Sequence, residues 1–358
     1  DQGFSAASNG FPGFGPLAQG DWSRSNIAAY IDLEADVTEN WLLAAAVRWE
    51  DFDDFGTTTN YKIATHFQAT DWMGLRATYS TGFRAPTPGQ SNAYNVSTEF
   101  NLATGDLENN GTIPSNTAVA ALRGGKALDP EESTNYTFGG IFQFGDFSVT
   151  IDYFNIELTD RLGVSQNFVL TPEEIEALIE AGVAGANSLS TFRFFTNGIE
   201  TETDGIDVVA TYSLDSSIGI TDFNLAYNKT NTDVTKADPS IIDDVRVQEM
   251  EEALPETRWN LSASHTMDNW RFMARYSYFD DWYDSEDTET YDGYGVFDAE
   301  VGYTFDMGVS LIVGANNVTD ETPDENPNAA AGVGNQYSQW SPGGFNGQFI
   351  YTRLIYDF

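Results

Sequence analysis

Aromatic rings in polar connecting stretches and clustered carboxylates are the residues of this sequence with chemistry to offer. Tyr94, Phe100, Phe192, Trp282, Tyr283, Tyr337 and Trp340 fall in such stretches or at their edges, where a ring face can stack on a sugar ring or a catechol. Carboxylates gather at Glu50, Asp51, Asp53 and Asp54, at Asp280, Asp281, Asp284, Glu286 and Asp287, and at Asp320, Glu321, Asp324 and Glu325. Oxygen-rich clusters hold Ca²⁺ when their spacing is right, but none of these follows a complete calcium-loop spacing, so neither a metal nor another cofactor is expected. The chain has no Cys, and its only histidines, His66 and His265, lie far apart. Thiol nucleophiles, Cys-metal centres and paired-histidine chemistry are thereby disfavoured. No two carboxylates can be placed at glycosidase separation from the sequence, and the chain is expected not to be an enzyme.

The 358 residues carry 16 Lys+Arg against 55 Asp+Glu, a formal charge of −39. Such acidity repels phosphate backbones and excludes nucleic acid as a partner. Disorder is excluded too, because 41% of the residues are hydrophobic and 14% aromatic. An excess of surface carboxylates suits a salty habitat and draws cations towards any opening it surrounds. No run approaches the ~18 apolar residues of a membrane-crossing helix; Trp41 to Val47 comes nearest and Arg48 ends it.

Strands must position these side chains, because the hydrophobic period is two. Trp41, Leu43, Ala45, Val47 and Trp49 alternate with a set that includes Arg48 and Glu50. The pattern returns in Met73, Leu75, Ala77 and Tyr79, in Trp270, Phe272, Ala274, Tyr276 and Tyr278, and in Phe297, Ala299, Val301, Tyr303 and Phe305. Arg48, Lys62, Arg76, Asp152, Arg271, Arg275, Asp298, Glu300 and Arg353 occupy the opposite, polar face. Short turns alternate with long polar connections near 85–131, 161–191, 230–254, 281–292 and 320–345. Trp41, Trp72, Phe147, Trp270 and Phe305 stand beside the short turns, as an interfacial girdle requires. Runs of about 10–14 residues exceed ordinary sandwich strands and match tilted bilayer crossings.

The expected fold is therefore all-β, a transmembrane antiparallel barrel with about thirteen strands in this chain. Its long extracellular loops should carry one short helix, begun by Thr171 as N-cap with Pro172 and Glu174 behind it, and lined by Ile175, Leu178 and Ile179. Two other readings fit the alternation: a passive porin, and a soluble acidic carbohydrate-binding β-protein.

At the chain end, Ile350, Thr352, Leu354, Tyr356 and Phe358 alternate with Tyr351, Arg353, Ile355 and Asp357. Ile350, Leu354, Tyr356 and Phe358 resemble the C-terminal signal read by the outer-membrane barrel-assembly machinery. Four internal stretches also resemble one family, the TonB-dependent receptors of Gram-negative outer membranes. They are Gly74-Leu-Arg-Ala-Thr-Tyr-Ser-Thr-Gly-Phe-Arg-Ala-Pro-Thr-Pro-Gly-Gln90, Leu128-Asp-Pro-Glu-Glu-Ser-Thr-Asn-Tyr136, Phe194-Phe-Thr-Asn-Gly with Glu202-Thr-Asp-Gly-Ile-Asp-Val208, and Gly314-Ala-Asn-Asn-Val-Thr-Asp-Glu-Thr322.

The resemblance implies a 22-stranded barrel filled by a plug, of which residues 1–358 would be the C-terminal portion, with the plug and first strands absent. With short turns periplasmic, counting back from a descending last strand starts the first of thirteen outside the cell, as expected of an incomplete barrel. The implied activity is import of a scarce nutrient, an iron–siderophore, other metal chelate or carbohydrate. The energy would come from the TonB complex, reached through the missing N-terminal region. The implied surroundings are outer-membrane lipid and lipopolysaccharide. Tyr94, Phe100, Trp282, Tyr283, Tyr337 and Trp340 are the candidate ligand contacts, and Arg48, Arg76, Arg271, Arg275, Asp298 and Glu300 the lumen-facing charges.

Overall fold

A computed structural model describes residues 2–4, 20–92, 94–101, 105–181, 189–329 and 334–356. Thirteen strands form one sheet in which each strand pairs with the next of the sheet in chain order. They are β1 (Asn26–Thr38), β2 (Trp41–Phe52), β3 (Gly56–Thr70), β4 (Met73–Arg84), β5 (Glu131–Phe144), β6 (Phe147–Val164), β7 (Phe195–Ser216), β8 (Gly219–Ala237), β9 (Thr257–Met267), β10 (Trp270–Phe279), β11 (Tyr294–Thr304), β12 (Val309–Asn316) and β13 (Phe349–Tyr356). All twelve pairings are antiparallel. The sheet is open among the described residues, since β1 and β13 do not pair with each other. Among the described residues no helix is long and apolar enough to cross a membrane.

Register turns the alternation into two continuous faces. Directly opposed residues share a face, so the pairs Ile63↔Tyr79, Ala77↔Phe138, Tyr153↔Phe138, Tyr153↔Ile206, Ala263↔Ala274 and Phe272↔Val301 belong to one apolar surface. That surface is open: Ile31, Leu33, Ile63, Phe138, Leu261, Val313, Ile350 and Leu354 are all exposed. An apolar face spread across thirteen strands has no counterpart on a water-soluble protein, where exposed apolar patches stay small. It is the lipid-facing side of a membrane wall.

Aromatic residues rim this face at both ends. By the short turns, Trp72 stacks on Phe144 at 5.0 Å, Trp270 meets Tyr303 edge-on at 4.8 Å, and Tyr303 meets Phe305 at 4.8 Å. At the other rim, Tyr61 lies 6.0 Å from Tyr79 and Trp259 5.4 Å from Tyr276. Trp41 and Trp49 mark the two rims of β2; roughly 26 Å of strand between them, tilted by about 40°, spans about 20 Å of height, near that of an outer-membrane apolar band.

The short turns use the expected residues. Gly145 (φ +60°), Asp268 (φ +50°) and Gly308 (φ +78°) adopt the left-handed conformations that tight hairpins need. Strands β6, β7 and β8 run to 18, 22 and 19 residues, beyond the ~10 needed to cross. They therefore rise above the bilayer and carry the long connections.

One expectation is corrected here, and pairing sets the limits of two wall strands. Among the described residues the loops hold four helices rather than one: α1 (Pro88–Asn92), α2 (Ala118–Leu122), α3 (Pro172–Glu180) and α4 (Asp244–Glu252). Only α3 shows an apolar stripe behind a capping box; α1 and α2, at five residues each, are too short to display a period. The seventh wall strand begins at Phe195, because Thr191–Arg193 is a separate strand in a small loop sheet. The first wall strand begins at Asn26, because Gly20–Trp22 pairs instead with Gln2–Phe4.

Candidate functional site: the polar face and the loop cap

The polar face carries arginines over buried carboxylates. Arg275 lies directly opposite Asp298 and bonds it at 2.6 Å. Arg271, from the adjacent β10, and Arg353, from β13 one strand beyond β12, approach Glu300 at 3.6 and 3.9 Å, and the Tyr351 hydroxyl donates to it at 2.9 Å. Arg48 pairs with Glu50 at 2.8 Å, and Arg76 donates to Asp152 through Nε at 2.7 Å. The exposures are asymmetric: the Arg271 side chain is 52% exposed and that of Glu300 is 8%. A carboxylate so shielded needs these partners, and the guanidiniums are what water meets. Lys62 is exposed on the same face.

At the rim, the stretches with family resemblance meet one another. Arg84 pairs with Glu131, whose other oxygen accepts the Leu162 N–H at 2.6 Å. Asn197, buried, accepts the Asp129 N–H at 2.8 Å and donates to the Asp129 carbonyl at 2.7 Å and to that of Asp160 at 2.8 Å. Asp160 has φ +51° and sits where β6 loses register with β7, so Asn197 fastens a bulge to the incoming loop. The fourth stretch behaves alike: Asn317 (φ +52°) donates its N–H to Asp298 at 2.8 Å and its side chain brackets Glu321.

Above the rim the loops fold into a cap with its own interior. Ile113, Val119, Phe168, Leu178, Phe192 and Ile242 are among its buried residues. Phe168 stacks on Phe194 at 5.6 Å. A four-stranded sheet joins Phe168–Val169, Thr191–Arg193, Asp106–Thr112 and Asn95–Asn101, with the middle pair parallel. The α3 capping box is complete, since Thr171 and Glu174 exchange side-chain and backbone bonds. Glu174 also takes Arg123 at 3.1 Å, while Arg123 lies over Phe168. The guanidinium beside it holds the Glu174 carboxyl below its ordinary value.

A second, smaller interior lies beside the first. Trp282, Tyr291 and Tyr294 pack together, with Trp282 stacked on Tyr291 at 5.3 Å. Ser338 donates to Asp284 at 2.6 Å and Asn326 to Asp287 at 2.8 Å, tying the β12–β13 connection to the β10–β11 connection, within which Tyr291 donates to Asp287 at 2.8 Å. Burial pushes the Asp284 carboxyl above its usual range.

The candidate rings separate by exposure. Phe192 is wholly inside the first interior and Trp282, 1% exposed, inside the second; Tyr283 is buried between its hairpin and α4. Tyr94 is half-buried against the first interior. Phe100 lies on the strand Asn95–Asn101, with its side chain outside the described residues. Tyr337 stacks on Phe345 at 6.2 Å, and Trp340 is 60% exposed. Among the described residues no three acidic or histidine side chains converge as a metal site. Ile350, Leu354 and Tyr356 share the lipid face of β13, and Phe358 is outside the described residues. Local sequence does not show the long-range ties of Asn197, Glu131 and Glu174: an Asn before Gly reads as a turn, and the partners Asp129, Leu162 and Arg123 lie 68, 31 and 51 residues away.

A family model described as TonB dependent receptor-like, beta-barrel, matches residues 1–318. Among curated relatives, a vitamin B12 transporter of Vibrio cholerae is 26% identical over 154 residues, 42% of this chain and 21% of its own length. One of Photobacterium profundum is 30% identical over 129 residues, 36% of this chain and 17% of its own length. Of solved structures, a ferric enterobactin receptor variant of Pseudomonas aeruginosa with enterobactin bound matches at TM-score 0.66 and 14% identity, covering 98% of this chain and 49% of that one. The siderophore receptor PirA of Acinetobacter baumannii matches at TM-score 0.63 and 14% identity, covering 100% and 49%. The chain thus spans about half the length of these solved receptors. Lipid-facing strands, short turns opposite long loops, the recurrent rim stretches and the match over residues 1–318 have one common explanation: the chain belongs to the TonB-dependent receptor family and forms barrel wall of the Gram-negative outer membrane.

Proposed function

We propose that this chain is the C-terminal portion of a receptor barrel that imports a scarce nutrient through the outer membrane, driven by the TonB complex acting through further segments of the receptor. The observation that carries the reading is the division of one thirteen-stranded sheet into a lipid face and a charged face, capped on one side by folded loops. The unpaired edges of β1 and β13 leave room for the remaining strands, and the lipid face of β13 supplies the surface for the barrel-assembly machinery. The vitamin B12 relatives support a bulky metal chelate as solute; an iron–siderophore or a carbohydrate stays within the same reading. Trp340 and Tyr337 are the rings proposed to meet the solute, with Tyr94 and Phe100 behind them. Trp282 and Tyr283 serve by shaping the hairpin that presents Trp340's loop. The guanidiniums of Arg48, Arg76, Arg271 and Arg275, over Asp298 and Glu300, keep the passage wet and charged.

Tryptophan fluorescence of the detergent-solubilised receptor, titrated with cobalamin, a ferric catecholate and a maltooligosaccharide, tests this reading. Saturable binding of one probe, weakened about tenfold by Trp340→Ala (~1.4 kcal/mol, within the range for a stacked ring), is the expected result. Stable unitary conductance with no saturable binding would favour the passive channel.

A further inference from the structure

The three connections β4–β5, β6–β7 and β8–β9 do not have separate interiors. Ile113 and Val119 of the first, Leu178 and Phe192 of the second and Ile242 of the third bury one another in a single cluster. The backbone is shared as well. Ile113 donates its N–H to the Arg193 carbonyl at 3.0 Å, Ser190 donates to Asn109 at 2.9 Å, and Gln166 donates to Ile241 at 2.9 Å. Arg123, which caps the end of α2, reaches Glu174 of α3, and Gln166 Nε2 reaches the Ser240 carbonyl at 2.9 Å. A five-residue helix such as α2 has no stability of its own, and no one connection can leave without exposing apolar side chains and orphaning backbone groups of the others.

We propose that these three connections open and close as one cooperative unit, so that no one of them closes over a solute by itself. A solute then gains entry by movement of the cap as a body, or past its fixed edge. The α4 helix, which belongs to this unit, also packs on Trp282–Asp284, so the second interior feels that movement at one contact. The inference goes beyond the import reading and does not depend on the identity of the solute.

Amide hydrogen exchange of the full chain in detergent micelles or nanodiscs tests it. In Leu178→Ala, which alters only the β6–β7 connection, exchange at Ile113, Ala120 and Ile242 is expected to rise with that at Phe192. The rise should have one common factor of about tenfold or more, with β9 and β10 unchanged. Ile242→Val, a gentler change in another connection, should give a smaller but again shared rise, and it serves if Leu178→Ala does not fold. Faster exchange confined to the connection that carries the substitution, in either variant, would overturn the proposal. Failure of solute binding would leave this readout untouched, so the two readings fail separately.

Discussion

The side chain of Asn197 closes on both backbone groups of Asp129, accepting from the N–H at 2.8 Å and donating to the carbonyl at 2.7 Å. A single amide thus imitates a strand neighbour at the point where the longest loop rejoins the wall, and its second amide hydrogen holds the Asp160 bulge at 2.8 Å. Asn197→Ala leaves buried groups unpaired and is expected to cost about 2–3 kcal/mol locally. Limited proteolysis should then cut near 126–130 and 160–164 at rates raised well above those of the parent, while detergent-resistant barrel mobility is unchanged.

Asp298 joins wall to loop by accepting from Arg275 at 2.6 Å and from the Asn317 N–H at 2.8 Å. Asp298→Ala strands a guanidinium and an N–H together. Because the Arg275 side chain is 48% exposed, water recovers part of the loss, and the expected cost is about 1–3 kcal/mol. Hydrogen exchange around Asn317 and Glu321 should rise, whereas Arg275→Ala alone should affect that turn less.

The lipid face is testable against its neighbour on the same strand. Leu261 belongs to the apolar surface and Ser262, paired with Arg275, to the charged one. Leu261→Arg, in the apolar band just below the Trp259–Tyr276 rim, should cost about 1–2 kcal/mol, between the midplane and interface values, and depress assembly in the outer membrane. Ser262→Arg should assemble at close to the parent level, as read by heat-modifiable mobility.

The two loop interiors should answer acid in opposite senses. Glu174 has a folded pKa below its unfolded 4.5, so its pair with Arg123 contributes stability above pH ~4.5 that is lost as pH falls through the lowered folded value. Asp284 has a folded pKa above its unfolded 3.8. Its burial costs stability at neutral pH, and that cost is relieved as pH falls through the raised folded value towards 3.8. Exchange measured from neutral pH downwards, corrected for intrinsic rates, should rise around Leu178 and fall around Trp282 and Ser338. Asp284→Asn should abolish the second change and leave the first.

The wall was legible in the sequence and the cap was not, for reasons of range. Trp41, Leu43, Ala45, Val47 and Trp49 reveal their strand because its period lies within five apolar positions, and turns such as Gly145-Asp146 mark where other wall strands reverse. The α3 helix was legible for the same reason, its capping box being four residues long. The cap sheet depends on Phe192 pairing with Gly111 in parallel, a contact with no local trace. The rings of Phe192 and Trp282 look like binding surfaces in a polar stretch until long-range packing encloses them. Rim stretches were recognisable as recurrent, but their purpose became readable only when Arg84 met Glu131 and Asn197 met Asp129.

Uptake by cells that express the intact receptor tests the central claim most directly, with cobalamin, a ferric catecholate and a maltooligosaccharide as labelled probes and strains with and without TonB. Saturable accumulation of one probe that requires TonB is the predicted result. Accumulation that rises in proportion to probe concentration and continues unchanged without TonB would contradict it.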